Sequence, residues 1–346
     1  MHPDEVLVGR QDLTRFVGQL FQARGLSAKD ADDQAAILVR TDVRGIFSHG
    51  TRMAPKYLDA IRDGHIKANP QPKTERETAA MALIDAGRGI GHLAARDAMN
   101  VAIEKARQVG VAMVNVKGSH HCGAVSMYTL QAQEAGMIGF ATTNTGGASV
   151  APYGGRTGAL ANNPVSWAFP SEGDFPIVID MAAGVSAWQR IETMRIYGET
   201  LPDDWCWDKE GNPTTDPALG FTMRAAGGTR GSGLALAAAL LTGALSGGDF
   251  PSRRERANPV ADSEHTFLAV SVEHFVDMPH FYGEVAESIR ALHATKPEQG
   301  FTEVLAPGEL EWRRETAWSK DGLPLHKDHL QILAAAADPL NVPVVW

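Results

Sequence analysis

"DAGRGIGH", residues 85–92, decides between two folds. It follows MALIDA (81–86), an apolar run with strand character, and leads into HLAARDAMNVAIEKARQVG (92–110), whose apolar spacing predicts a helix. A strand, a glycine turn and a helix in that order frame a Rossmann dinucleotide site. Such a site needs glycine at the first, third and sixth places of the turn, for the bend, for close approach of backbone to pyrophosphate, and for helix packing. Gly87 and Gly89 fill the first two places, but the sixth is His92. No acidic residue closes the following strand about twenty residues on, where a ribose would be held. The stretch reads as a tight glycine turn, and the fold as something other than a Rossmann domain.

Downstream, strands are expected at VAMVNV (111–116), MIGFATTN (137–144), PIVID (176–180) and FLAVSV (267–272), with a helix over AVSMYTLQAQEAG (124–136). LALAAALLTGAL (234–245) is too short to span a bilayer, which needs about 20 residues, and reads as a buried core helix. Upstream the character changes. QDLTRFVGQLFQAR (11–24) has helical spacing and is closed by Gly25; Ser27 is a good N-cap for a second helix, and PKYLDAIRDG (55–64) is a third. NPQPKTERET (69–78) is Pro-rich and polar, a linker. From about Phe281 the chain is helical again: FYGEVAESIRALHA, then KDHLQILAAAA. The expected class is α+β, with residues 1–75 and 281–346 forming one helical domain around an α/β domain of residues 76–280.

A chain of 346 residues is long for one core. Hydrophobic residues at 44% and charged residues at 21% are those of an ordinary soluble protein. The net charge of −9 argues against a nucleic-acid surface, which needs clustered Lys and Arg. Two cysteines, Cys122 and Cys206, make neither a disulfide framework nor a CxxC pair, and the N-terminus lacks the pattern of a signal peptide; a cytoplasmic protein is expected.

Three further stretches carry chemistry. "GGTRGSG" (227–233) opens a helix but lacks the Lys-Ser/Thr of a P-loop; its glycines still let backbone N–H groups and Arg230 approach a phosphate. "KGSHHCG" (117–123) and "FSHGTR" (47–52) each hold a Ser-His pair. Consecutive His120 and His121 point to opposite faces of an extended strand, and no HxxxH or CxxC completes a zinc set, so no metal is expected. No GxSxG supports a serine hydrolase.

The run "RTDVRGIFSHGTRMAPKYLDAIRDGHI" resembles the SHG signature of the malate/L-lactate dehydrogenase family, also known as the type-2 lactate dehydrogenase or sulfolactate dehydrogenase-like family. Its members include ureidoglycolate dehydrogenases, diketogulonate reductases and cyclic ketimine-carboxylate reductases. "KGSHHCGAVSMYTLQAQEAGMIGFATTNT", "APYGGRTGALANNPVSWAFP", "IVIDMAAGVSAWQRI", "GNPTTDP", "GGTRGSGLAL" and "LAPGELEWRRE" are similar to further blocks of the family, in the same order. The resemblance implies an oxidoreductase that uses NAD or NADP on a small carboxylate substrate. It implies a non-Rossmann cofactor domain with a largely antiparallel sheet, a helical domain from both chain ends, and a homodimer.

The resemblance also assigns residues. His49, with Ser48 beside it, and His121 are the two candidate proton carriers, and which of them is the acid stays open. His120 stands where the family usually has Asn and is expected behind the site or exposed. Tyr57 holds the family's tyrosine place at the substrate. The arginine usual four residues after the histidine is replaced by Met53, so Arg52 is the candidate for the substrate carboxylate. Asn144, Asp180, Met181, Ala182, Gly184, Ser186, Arg230, Pro307, Gly308 and Glu309 are the expected cofactor contacts. A non-catalytic binding member of the fold and a metal-dependent hydrolase remain as alternatives.

Overall fold

The computed structural model describes residues 3–144, 146–173, 175–254 and 262–346. Ten α-helices occur among them: α1 (Arg10–Ala23), α2 (Ala28–Val43), α3 (Ala54–Arg62), α4 (Gly91–Val109), α5 (Ser126–Glu134), α6 (Trp188–Ile196), α7 (Thr229–Thr242), α8 (Met278–His293), α9 (Glu309–Asp321) and α10 (Lys327–Ala337). The strands are β1 (Glu5–Val8), β2 (Lys73–Glu77), β3 (Met81–Asp85), β4 (Val111–Ser119), β5 (Met137–Asn144), β6 (Val165–Phe169), β7 (Ile177–Met181), β8 (Cys206–Trp207), β9 (Pro213–Thr214), β10 (Thr222–Met223), β11 (Ser263–Ser271) and β12 (Leu323–His326).

Seven strands form the main sheet in the order β2-β3-β4-β11-β5-β6-β7. Only β3 and β4, joined by α4, run parallel; the other neighbours are antiparallel. The glycine turn at 85–92 therefore does sit in a strand–helix–strand crossover, the one place where parallel pairing needs a long connection. Central β4 and β11 are mostly buried. Alanines on α4 (Ala95, Ala98, Ala102) let that helix lie close against Val114, Val116 and Phe267 of the sheet.

The chain ends meet. β1 and β12 pair antiparallel, Glu5 opposite His326 through Val8 opposite Leu323. Leu325 and Leu333 share one core cluster with Phe16, Leu20, Phe21, Leu38 and Tyr57 from α1 to α3. Ser27 caps α2, its hydroxyl accepting from the Asp30 N–H at 3.1 Å. A third cluster, with Val150, Leu160, Ile191, Leu201 and Met223, lies under β8–β10 and the chain around them.

Two expectations need correction. Residues 73–77 of the expected linker form β2, the sheet's edge, with every residue exposed. Its sequence, KTERE, is what an exposed edge carries: charges that discourage another strand from pairing there. The helix at 234–245 is not fully buried. α7 buries Gly231, Ala235, Ala238, Ala239 and Thr242, while Leu236, Leu240 and, just beyond it, Leu245 are 43%, 50% and 59% exposed. The helix is apolar all round, so periodicity could not say which face turns inward; the small residues do, because they let the helix approach β5 and β11.

Candidate active site

A cleft of about 960 Å³ opens between the segment that follows α2 and the edge of the sheet formed by β6 and β7. Ser48, His49, Met53 and Lys56 line one wall, His121, Gly123 and Ser126 the next, and residues 178–190 with 305–308 the third.

The SHG turn is held from below. Asp42 at the end of α2 is buried, and its Oδ2 accepts from the Thr51 N–H at 2.9 Å and the Thr51 hydroxyl at 2.5 Å. Thr51 Oγ1 also lies 2.9 Å from His329 Nε2 of α10. A Cβ on Gly50 would stand 1.8 Å from Asp42 Oδ1, so only glycine fits there. Burial raises the Asp42 carboxyl to about 7. The turn thus presents Ser48 and His49, whose Oγ and Nδ1 are 2.8 Å apart. Burial, then the Arg52 charge, lowers His49 to about 4.

His121 comes from the other wall. Its ring lies 5.5 Å from that of His49, inclined by 23°. Its Nδ1 is 2.7 Å from the Tyr57 hydroxyl and 3.3 Å from the Gly123 backbone nitrogen, which donates to it. A backbone N–H can only donate, so Nδ1 is an acceptor and the neutral ring carries its proton on Nε2. Burial, then the charges of His49 and Lys56, holds His121 well below the ordinary histidine range.

The third wall is polar backbone. Asp180 ends β7 and accepts from the Ser126 N–H at 3.1 Å. Surrounding protein raises its carboxyl to about 6, although water in the open cleft reaches it and offsets part of that rise. Asn162 clamps the loop after β7, accepting from the Gly184 N–H at 2.8 Å and donating to the Ser186 carbonyl at 2.7 Å. Three buried polar atoms of cleft residues, Ser126 Oγ, Asn163 Oδ1 and Ser186 Oγ, have no hydrogen-bond partner among the described residues. Buried polar atoms are normally satisfied.

Of the residues singled out by sequence, Ser48, His49, His121, Asp180, Met181, Ala182, Gly184, Ser186, Pro307 and Gly308 line the cleft; Arg52, Tyr57, Asn144, Arg230 and Glu309 do not. Tyr57 is fully buried and reaches the site through His121. Arg52 turns away, its guanidinium donating to the Gln189 carbonyl at 2.8 Å. Asn144 is buried behind the cleft against Glu264, Oε2 at 3.1 Å. Glu309 anchors the 306–308 loop by accepting from the Ala306 N–H at 3.0 Å, with His293 Nε2 2.7 Å away. Arg230 is exposed on the first turn of α7. His120 is buried, not exposed, and lies outside the cleft lining.

Lys56, Asn162, Asn163 and Ser126 are cleft residues that sequence reasoning did not single out. Lys56 stands three residues after Met53 and four after Arg52, so helical spacing alone does not separate Lys56 from Arg52 as the cation that enters the cleft. Asn163 carried no signal, because its position depends on how β6 meets the 178–186 loop. The "DAGRGIGH" turn lies outside the cleft lining too. Its Gly91 packs against the strand end that precedes His121: a Cβ there would stand 2.0 Å from the His120 carbonyl oxygen. Among the described residues no group of three His, Cys, Asp or Glu is placed to hold a metal ion, and no helix is long and apolar enough to cross a membrane.

Residues 8–334 match the family model described as malate/L-lactate dehydrogenase. The chain is 33% identical to a malate dehydrogenase of Pyrococcus abyssi, over 97% of this chain and 96% of that protein. It is 31% identical to a ureidoglycolate dehydrogenase (NAD(+)) of Escherichia coli K12, over 95% of each. The solved structure of a Pyrococcus horikoshii malate dehydrogenase superposes with a TM-score of 0.91 at 28% identity, covering 99% of this chain and 98% of that one. A match that runs almost end to end, with two paired histidines facing each other across the cleft, leaves one assignment: the chain belongs to the malate/L-lactate dehydrogenase family and is an oxidoreductase.

Proposed function

We propose that the protein transfers hydride between a nicotinamide dinucleotide, NAD or NADP, and C2 of a small 2-oxo or 2-hydroxy carboxylic acid. The observation that carries this is the pair of facing imidazoles, 5.5 Å apart, each fixed by a second protein group. An alcohol–carbonyl interconversion needs a proton carrier and a hydrogen-bond donor on the same oxygen. His121, with its proton on Nε2, is the donor that polarises the carbonyl oxygen. His49, whose Nδ1 rests on Ser48, gains and loses the proton. Tyr57 keeps His121 in its tautomer and orientation.

The cleft fits a dinucleotide. The unpartnered oxygens of Ser126, Asn163 and Ser186 and the backbone of residues 180–186 and 306–308 offer it hydrogen bonds. Asp180, Met181, Ala182, Gly184, Ser186, Pro307 and Gly308 would hold it directly; Asn144 and Glu309 would support them from behind, and Arg230, near Ala226 on the rim, would meet phosphate. When bound, the nicotinamide supplies or accepts the hydride; the protein orients it and excludes water.

Residues 1–75 with the chain's tail, and residues 76–280, are proposed as two domains meeting at this cleft, which the separate core clusters support. The exposed leucines of α7 support a homodimer. A chain with only two cysteines, both buried, suits a cytoplasmic setting. The test is a panel of 2-oxo acids, sugar-derived oxo acids and cyclic imines with NADH and NADPH, followed at the nicotinamide absorbance. Turnover of at least one 2-oxo acid is expected; no turnover and no dinucleotide binding would overturn the reading.

A further inference from the structure

We infer that the Lys56 ammonium anchors the carboxylate of the substrate. This rests on the proposed 2-oxo acid chemistry and names the group that such a substrate requires. In a 2-oxo acid the carboxylate is bonded directly to the reacting carbon, so its cation must flank the histidines. Four cationic side chains come into question. Arg52 is drawn off to the Gln189 carbonyl and leaves the cleft lining to Met53. Arg44 lines the cleft, but its guanidinium is paired with Glu315 at 2.7 Å. Arg190 lines the cleft from the first turn of α6, on the third wall rather than on the walls that carry the histidines.

Lys56 remains. It lines the cleft beside His49 and His121, and it precedes Tyr57, whose hydroxyl is 2.7 Å from His121. Its charge acts on His121, and no carboxylate pairs with it among the described contacts. The side chain is solvent-accessible, while the protein packed around it lowers its pKa from the ordinary lysine value. An unpaired ammonium in such a place gains by taking an anion.

The choice of lysine has a consequence for specificity. A guanidinium holds a carboxylate in one plane through two parallel bonds, whereas an ammonium is a compact point charge with rotatable donors. A site anchored by Lys56 accepts carboxylates in more than one rotational setting, so it tolerates bulk next to C2 that a planar clamp would reject.

The test uses oxalate and oxamate as probes, titrated calorimetrically into the whole protein with and without saturating NADH. Lys56→Met should weaken oxalate binding on the order of tenfold to a hundredfold, the range of one charged hydrogen bond. NADH affinity and melting temperature should stay unchanged, and Lys56→Arg should restore part of the loss. In kinetics the loss should appear in KM for a 2-oxo acid more than in kcat. Equal oxalate affinity in wild type and Lys56→Met overturns the inference, as does wild type that binds no oxalate, or a loss seen only with Arg52→Met or Arg190→Met. If oxalate binds through Lys56 but neither NADH nor NADPH binds, the anchor stands and the dinucleotide reading falls.

Discussion

His49 and His121 differ in what surrounds their Nδ1 atoms, and the roles proposed for them rest on that difference. Gly123 donates to His121, so this ring resists a second proton; Ser48 can donate or accept, so His49 takes up and gives back a proton without breaking its bond. Replacing either by alanine should lower kcat by about 10²–10⁴-fold, with dinucleotide affinity unchanged in a fluorescence titration. His120→Asn should change kcat little, because His120 stands outside the cleft. A base lowered to about 4 is already neutral in mild acid. Oxidation of a 2-hydroxy acid should therefore keep a flat kcat/KM from about neutral pH upward, while reduction slows as pH rises and the protonated donor is lost. Asp42 gives a stability prediction. Its carboxyl is raised from 3.8 to about 7 in the fold, so its contribution is fully present below 3.8 and lost as pH rises through 7. The unfolding free energy of wild type relative to Asp42→Asn should decline across that window; a pH-independent difference in denaturant melts would show that the carboxyl is not buried as described.

At the scale of elements, a glycine in each of two glycine-rich turns serves packing. Gly91 lets the start of α4 rest on the His120 carbonyl, and Gly231 lets the start of α7 rest on the Ala183 carbonyl, where a Cβ would come within 2.4 Å. Both contacts seat a loop of the cleft. Gly91→Ala must push the 120–123 segment outward. It should cost about 1–3 kcal/mol of stability, as overpacking does, and lower kcat as well, since His121 moves with that segment. Measured kcat equal to wild type would mean that the segment adjusts without moving His121. Strand β2 shows the reverse case: a polar run that reads as linker is a strand because β3 supplies the partner it lacks on its own.

For the whole molecule, the outstanding feature is the apolar face of α7. Leu236, Leu240 and Leu245 lie in water in the single chain. Monomers rarely leave contiguous apolar patches of this kind uncovered. A second copy is the proposed cover. The wild type should sediment as a dimer, and Leu240→Glu with Leu245→Glu should shift it to monomer at micromolar concentration. A wild type that sediments as a monomer would mean that this face has another purpose.

Much was settled by local sequence. Ser27 before a helical period, apolar runs at 111–116 and 267–272, and glycines after α1 and α3 act within a few residues, and their elements appear where the pattern puts them. The missing sixth glycine of "DAGRGIGH" argued against a nucleotide cradle, and the turn lies outside the cleft lining. The SHG and SHHCG motifs named the two histidines, since each motif is contiguous. What the sequence could not decide were relations between distant segments. Which face of the all-apolar α7 turns inward depends on the sheet beneath it. Whether Arg52 or Lys56 enters the cleft depends on a carbonyl 137 residues away at Gln189, which takes the Arg52 guanidinium. The tautomer of His121 is set jointly by Tyr57, 64 residues earlier, and by Gly123 beside it. Local propensity acts over one turn or one strand, while a site is made where several such pieces meet, and only packing brings them together.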